Sequence, residues 1–301
     1  MSRVHEALRR AEKAGFLNPQ PPPAATTATS TRVITPAEAG DLAAKELLDL
    51  IQEIPFNPSP EAHLIDATRP HEAPMEEFRT LRTRLNHLQS LQPIHNVVVT
   101  SPSPAEGKSF AAVNLAMAES QLAGNRTILA DFDFRRPIVH NIFQVDRSPG
   151  ITEFLLGKAQ LHEVIRKIAG TNLYIMPAGE AVINPLELLN LPQVREMLTT
   201  LPKVFNWVIL DSPPLLFAAD ANLVSTLCHG TILVVRIGTT TIDSVTRAMQ
   251  SLCENNVLGI IVNGARRGEL YSKYTYYHSY YYSKPDERLP ERKAEEDDED
   301  E

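Results

Sequence analysis

The sequence predicts an α/β fold, a mainly parallel sheet with helices on both faces. Two observations carry this. Six apolar runs are continuous: residues 96–100 (NVVVT), 127–131 (TILAD), 172–176 (NLYIM), 207–211 (WVILD), 231–236 (TILVVR) and 257–262 (VLGIIV). A strand wetted on one face alternates apolar with polar residues, so unbroken runs point to strands covered on both. Stretches of helical periodicity, near 109–123, 152–167, 186–200, 218–227 and 241–255, fall between the runs. Such alternation is the pattern of parallel strands joined by crossover helices. In sheets of this kind ligands bind at the C-terminal ends of the strands.

Taken in order, residues 3–14 read as a short amphipathic helix with Val4, Leu8 and Ala11 on one face. A Pro/Ala/Thr run without apolar periodicity follows and reads as a linker. Residues 38–52 can form a helix, and 55–74, with Pro55, Pro58, Pro60, Pro70 and Pro74, connect it onward. From residue 75 the pattern firms. Phe78, Leu81, Leu85 and Leu88 recur at three- and four-residue steps, which predicts an amphipathic helix over 75–91. The expected organisation is therefore an N-terminal helix and Pro-rich linker over 1–74, a folded domain over 75–265, and a tail over 266–301.

Charge is concentrated rather than spread. The last seven residues, Glu295–Glu301, supply seven of the eight net negative charges. A block of like charge stays solvated, and the nearly neutral remainder offers no field for nucleic acid. The opening MSRVHEALRRAEKAG is charged throughout and lacks the apolar region of a signal peptide. No apolar stretch is long enough to cross a bilayer, so a cytoplasmic chain is expected. Cys228 and Cys253 sit in apolar, helix-like surroundings and read as reduced core residues.

Residues 102–109 read PSPAEGKS, directly after the run NVVVT and before a helical pattern. Strand, tight loop and helix N-terminus are the context that a phosphate-binding loop requires, which makes the expected fold a P-loop nucleotide-binding one. The N–H groups of Ala105, Glu106, Gly107, Lys108, Ser109 and Phe110 would face phosphates at the helix start. Lys108 would place its ammonium between the β- and γ-phosphates of ATP, and Ser109 would give its hydroxyl oxygen to Mg²⁺. Gly107 would let the backbone approach closely. Two positions depart from the common pattern. Pro102 stands where the first glycine usually is, and Ala105 would be strained if its φ were positive.

Three aspartates follow apolar runs. Asp131 and Asp133 lie two apart in TILADFDFRRP, and Asp211 ends WVILD. Each alone suits a turn or a helix cap. Together, at strand ends of the sheet that carries the phosphate loop, they suit a Mg²⁺-associated site.

Tyrosine is unevenly placed. Of the 8 in the chain, all but Tyr174 fall in YSKYTYYHSYYY: Tyr271, Tyr274, Tyr276, Tyr277, Tyr280, Tyr281 and Tyr282. With no Val, Ile, Leu or Phe, the segment reads either as a flexible run of phosphate acceptors or as an aromatic surface strand. Glu76, Arg79 and Arg82 form E-x-x-R-x-x-R along one side of the expected helix; on spacing alone this is a salt-bridged face of little stability.

GKS at 107–109, ILADFDFRRP at 128–137 and ILDSPP at 209–214 resemble the Walker A, A′ and B motifs of the bacterial tyrosine kinases, the capsule and exopolysaccharide autokinases. The opening MSRVHEALRRAE resembles the stand-alone cytosolic members. The resemblance spans 75–282 and implies an ATP- and Mg²⁺-dependent protein-tyrosine autokinase that regulates polysaccharide synthesis or export. By it, Asp131 would be the base for the tyrosine hydroxyl, Asp133 and Asp211 would serve the metal with Ser109, and the seven tail tyrosines would be acceptors. Glu76, Arg79 and Arg82 would lie at the interface of a homo-oligomeric ring. A membrane-embedded chain-length regulator would be the partner, recruiting the protein to the inner face of the membrane. Two other readings remain open. A partitioning-type ATPase is disfavoured because residues 101–106 hold no lysine. A non-catalytic nucleotide-binding regulator is motivated by Ala105.

Overall fold

A computed structural model of the chain describes residues 36–59, 64 and 65, 74–252 and 257–265. The expected helix at 3–14, the Pro/Ala/Thr linker, Cys253, the tyrosine segment and the acidic end lie outside them. The architecture below is that of the unit from Leu42 onward.

Eight strands form one sheet. They are β1 (Gln52–Ile54), β2 (Asn96–Thr100), β3 (Thr127–Asp131), β4 (Arg166–Ile168), β5 (Leu173–Met176), β6 (Trp207–Asp211), β7 (Gly230–Arg236) and β8 (Val257–Asn263). Their spatial order is β1-β4-β5-β3-β6-β2-β7-β8. Every neighbouring pair is parallel except β4 and β5.

The helices are α1 (Pro36–Leu50), α2 (Met75–Leu91), α3 (Lys108–Ser120), α4 (Val139–Ile142), α5 (Ile151–Leu155), α6 (Leu161–Val164), α7 (Pro185–Leu189), α8 (Pro192–Thr200), α9 (Ala219–Leu227) and α10 (Ile242–Ser251). Side-chain alternation divides the core between the two faces. Val98, Ile128, Ala130, Val208 and Leu210 point to the face covered by α5 to α9. Val97, Val99, Leu129, Ile209 and Ile232 point to the face covered by α2 and α3. That two-sided burial is why the runs carry no polar alternation.

The central elements follow the sequence closely, and the departures have local causes. The helix expected over 152–167 is two short helices followed by β4. Gly157 sits there at φ 69°, a conformation that ends a helix. The helix expected over 186–200 is divided into α7 and α8 by Leu191-Pro192, since the residue before proline is driven out of helical conformation. The helix expected to reach residue 52 stops at Leu50. The next residues pair with β4 at the sheet edge, so the sheet begins before the boundary expected at residue 75.

Within α2, Met75, Phe78 and Leu85 are buried. Helix α3 lies between α2 and the sheet, with most of its residues buried. The central position of β2, between β6 and β7, brings three strand ends around the start of α3.

Candidate active site

The phosphate loop leaves the C-terminal end of β2 and turns through two left-handed residues, Ala105 at φ 63° and Gly107 at φ 96°. Gly107 is the N-cap of α3 and makes no side-chain cap. The first N–H groups of α3 therefore have no capping side chain within the chain, the arrangement that receives an anion. Ala105 adopts the strained conformation that its sequence position raised. The side chain of Glu106 is turned inward and 3 % exposed. It accepts from Ser103 N at 2.9 Å and from the Thr240 hydroxyl at 2.5 Å, so only its backbone is available to a ligand. Phe110 packs edge-on against Phe78, ring centroids 6.0 Å apart, and anchors α3 to α2.

Strand register brings the carboxylates together. Asp131 and Asp211 are direct partners across β3 and β6, and Val99 lies opposite Asp211 on β2. Lys108 Nζ stands 2.8 Å from Asp133 Oδ2 and 3.5 Å from Asp211 Oδ1, and donates to Ser109 Oγ at 3.1 Å. Burial opposes the charge on Lys108, but Asp211, Asp133 and Asp131 outweigh it and hold the ammonium above its usual range.

The three acids differ. Asp131 is fully buried; Oδ1 accepts from Asp133 N at 3.2 Å, and Oδ2 from Ile138 N and Val139 N at 3.0 Å each. It thus fixes the loop that leads into α4. Burial and the neighbouring Asp211 push its carboxyl well above the usual range. Asp133 Oδ1 accepts from Arg136 N at 3.0 Å, which leaves Oδ2 to Lys108.

Asp211 is equally buried, yet neither of its oxygens has a hydrogen-bond partner of ordinary geometry. Burial drives its carboxyl upward, opposed by Lys108 and the nearby Ser109 hydroxyl. An ionised carboxylate in that state is costly unless something pairs with it. Two orphaned oxygens beside a serine hydroxyl and a helix N-terminus fit a divalent cation. Among the described residues no group of three His, Cys, Asp or Glu side chains forms a ready-made metal site. Mg²⁺ is in general held by one or two carboxylates together with substrate phosphates.

A cleft of about 380 Å³ opens over this cluster, lined among others by Lys108, Asp133, Arg136, Ile138 and Phe217. The motif ILADFDFRRP carries Arg135 and Arg136 without giving them a role. Their signal was there, two cations directly after a carboxylate pair. Both line the cleft, and Arg135 is in addition held by Asp220 at 2.7 Å. Phe217 gave no signal, because a phenylalanine after Pro-Pro-Leu-Leu reads as any apolar residue.

The expected interface residues lie elsewhere, on α2. Arg79 pairs with Glu76 at 3.7 Å, as the spacing alone suggested. Arg82 turns inward and donates from Nη1 to the Ala118 carbonyl at 2.9 Å. The seven tail tyrosines lie beyond the described residues.

Comparison with known proteins decides the family. Tyrosine-protein kinase YwqD of Bacillus subtilis (strain 168) is 32% identical over 217 residues, covering 71% of this chain and 91% of the relative. The chain belongs to the bacterial tyrosine kinases. Tyrosine-protein kinase etk of Escherichia coli (strain K12) is also 32% identical, over 198 residues, 65% of this chain. The kinase spans only 27% of that longer relative. Among solved structures, the kinase domain of Escherichia coli tyrosine kinase ETK superposes with a TM-score of 0.62 at 28% identity, covering 71% of this chain and 89% of that one. No protein-family model matches the chain. The kinase is therefore a protein-tyrosine kinase on a P-loop nucleotide-binding fold. None of its described helices is long and apolar enough to cross a membrane.

Proposed function

We propose that this kinase transfers the γ-phosphate of ATP, with Mg²⁺, to tyrosines of its own C-terminal segment. The observation that carries this is the pairing of an uncapped α3 N-terminus with a buried Asp211 carboxylate that faces the Lys108 ammonium and the Ser109 hydroxyl. The backbone N–H groups from Ala105 to Phe110 bind phosphate oxygens, and Lys108 supplies a positive charge at the β/γ junction. Ser109, Asp133 and Asp211 hold Mg²⁺, which when bound neutralises charge developing on the phosphates. Lys108 is drawn from its carboxylates toward the phosphate as substrate enters. Asp131 receives the proton of the tyrosine hydroxyl. Burial and Asp211 raise its affinity for a proton, and three N–H donors fix its direction.

The acceptors are Tyr271, Tyr274, Tyr276, Tyr277, Tyr280, Tyr281 and Tyr282, presented in a homo-oligomeric ring from one subunit to the next. Glu76, Arg79 and Arg82 contribute to the contact between subunits. Each phosphotyrosine adds roughly −1.5 to −2 charges, so a modified segment leaves a site that already holds three aspartates. The folded domain over 75–265, whose sheet β1 (Gln52–Ile54) also joins, is the catalytic part, with the rest of 1–74 a connecting region and 266–301 the substrate tail. The setting we assign is cytoplasmic control of capsule or exopolysaccharide synthesis or export. A membrane-embedded chain-length regulator recruits the protein to the membrane.

The test is incubation of purified protein with Mg·ATP, followed by mass mapping of phosphotyrosine. Phosphate on residues 271–282 in the wild type and none in Lys108→Met is expected. Nucleotide binding without phosphotyrosine would favour the non-catalytic regulator.

A further inference from the structure

Ala105 holds φ at 63° without being glycine. A non-glycine residue in that region is strained and persists only where its surroundings over-determine it. The surroundings here are the ends of β7 and β8. Asn263 Nδ2 donates to the Glu106 carbonyl at 2.9 Å, the carbonyl between the two left-handed residues. Arg236 Nη1 donates to the Ala105 carbonyl at 3.2 Å. Thr240 accepts from Arg236 N at 2.7 Å and donates its hydroxyl to the Glu106 carboxylate, which also holds Ser103 N. The arginine bond is exposed, whereas Asn263 is half-buried and closely packed. A Cβ at Gly107 would overlap its carboxamide nitrogen. Its Oδ1 accepts from Gly264 N at 2.8 Å, which orients the amide.

We propose that Asn263 is a positioning residue for phosphate transfer: it locks the strained turn at Ala105–Gly107 and thereby sets the affinity for nucleotide. None of its observed bonds involves the reacting groups, so it acts through the loop backbone. The sequence explains why a clamp is needed. Where glycine would take positive φ without strain, alanine needs an external hold. Asn263 is also the last residue of β8, and Gly264 and Ala265 lead from it toward the tyrosine segment. The loop that binds phosphate is thus held from the root of the segment that accepts it. The inference rests on the nucleotide-binding reading above.

The experiment is calorimetric titration of a non-hydrolysable ATP analogue with Mg²⁺ into four proteins: wild type, Asn263→Asp, Ala105→Gly and the double variant. Thermal unfolding is recorded on the same samples. Asn263→Asp keeps the shape of the side chain but removes the donor to the Glu106 carbonyl. It should weaken nucleotide binding about tenfold in the native background, the loss of roughly one hydrogen bond and its hold on the turn. With Ala105→Gly already in place, the same change should cost no more than about twofold, because glycine adopts the turn unaided. A role in folding alone would lower the melting temperature equally in both backgrounds and give no rescue of affinity. Native affinity in Asn263→Asp, or an equal loss with and without Ala105→Gly, would overturn the clamp while leaving nucleotide binding intact. Failure of the wild type to bind would overturn the nucleotide reading and the clamp with it.

Discussion

Helix α3 buries carboxylates at both of its ends, and the two ends treat them in opposite ways. At the N-terminal end, Asp211 has no hydrogen-bond donor of ordinary geometry and faces Lys108 and the Ser109 hydroxyl. At the C-terminal end, Glu119 is just as buried, but Oε2 accepts from Asn86 Nδ2 at 2.8 Å and Asn125 Nδ2 at 3.1 Å. The Asn86 carbonyl in turn accepts from Trp207 Nε1 at 3.3 Å. Burial raises Glu119 to about 7, opposed by Asn86, Arg82 and Asn125. Both carboxyls are pushed upward by burial. What separates them is the setting: two amides serve Oε2 of Glu119, although its Oε1 has no partner, whereas Asp211 faces an ammonium and a hydroxyl at a helix start. A buried acid thus suggests chemistry when its oxygens are orphaned beside an uncapped helix start, and architecture when amides close around it.

The sharpest way to break this contrast is at the N-terminal end. Lys108→Met should abolish autophosphorylation, a loss of roughly a hundredfold or more, through the missing charge at the phosphates. Asp211→Asn should lose a comparable amount, yet melt no lower than wild type, because it removes a charge that burial disfavours while Lys108 keeps its closer pair with Asp133. Phosphotyrosine yields from both variants, set beside their melting curves without nucleotide, make the comparison. An Asp211→Asn protein that stays active, or unfolds much earlier, would make this acid structural like Glu119.

Much of this was legible in the sequence. NVVVT, TILAD and WVILD became β2, β3 and β6 at the expected bounds, because central strands are set by continuous apolar runs. Asp131, Asp133, Asp211 and Lys108 were placed by motif, and register then brought them together. The clamp was not legible. Arg236, Thr240 and Asn263 lie 131, 134 and 157 residues from the loop positions they hold, and the parallel pairing of β7 with β2 and with β8 delivers them there. Strands β1 and β4 were missed because each is only three residues long, too short to show a periodicity. The inward turn of Arg82 was hidden for a different reason. Helix spacing gives neighbours along α2, not the carbonyl that the next helix presents.

At the C-terminal end the effect should be on stability, not catalysis. The folded value of Glu119, about 7, lies above its ordinary 4.5. Between those values the folded chain keeps a proton that the unfolded chain has released. Stability therefore falls as pH rises through that window and stays low above it. Glu119→Gln mimics the protonated acid and keeps an acceptor for Asn86 and Asn125. It should gain on the order of 2 kcal/mol at pH 8, a rise of several degrees in melting temperature, and little at pH 4.5. Autophosphorylation should stay near wild type. Melting curves from pH 4.5 to 8 make the check, and parallel pH dependence in the two proteins would show that Glu119 is not the titrating group.

The smallest effects expected are at Arg82 and Arg79, and the first tests whether Arg82 serves the fold or a neighbouring subunit. Its guanidinium donates to the Ala118 carbonyl near the C-terminal end of α3, where a cation is favourably placed, and its charge also eases the burial of Glu119. Arg82→Ala should therefore cost about 1 kcal/mol, a few degrees of melting temperature. Part of that cost belongs to the charge of Glu119, so it should shrink when Glu119→Gln is already present. Arg79→Ala should cost less, since its pair with Glu76 is an i,i+3 contact at 3.7 Å on a wetted helix face. Light scattering on the same variants reads the other possibility. If Arg82→Ala lowers the mass of the assembly with an unchanged melting curve, its contact with α3 contributes nothing measurable and the subunit interface is its function. If both melting temperature and mass fall, α2 is held in place from inside by Arg82, and the interface it presents depends on that hold. A loss of stability with constant mass would confine Arg82 to the fold and leave Arg79 and Glu76 to carry any contact between subunits.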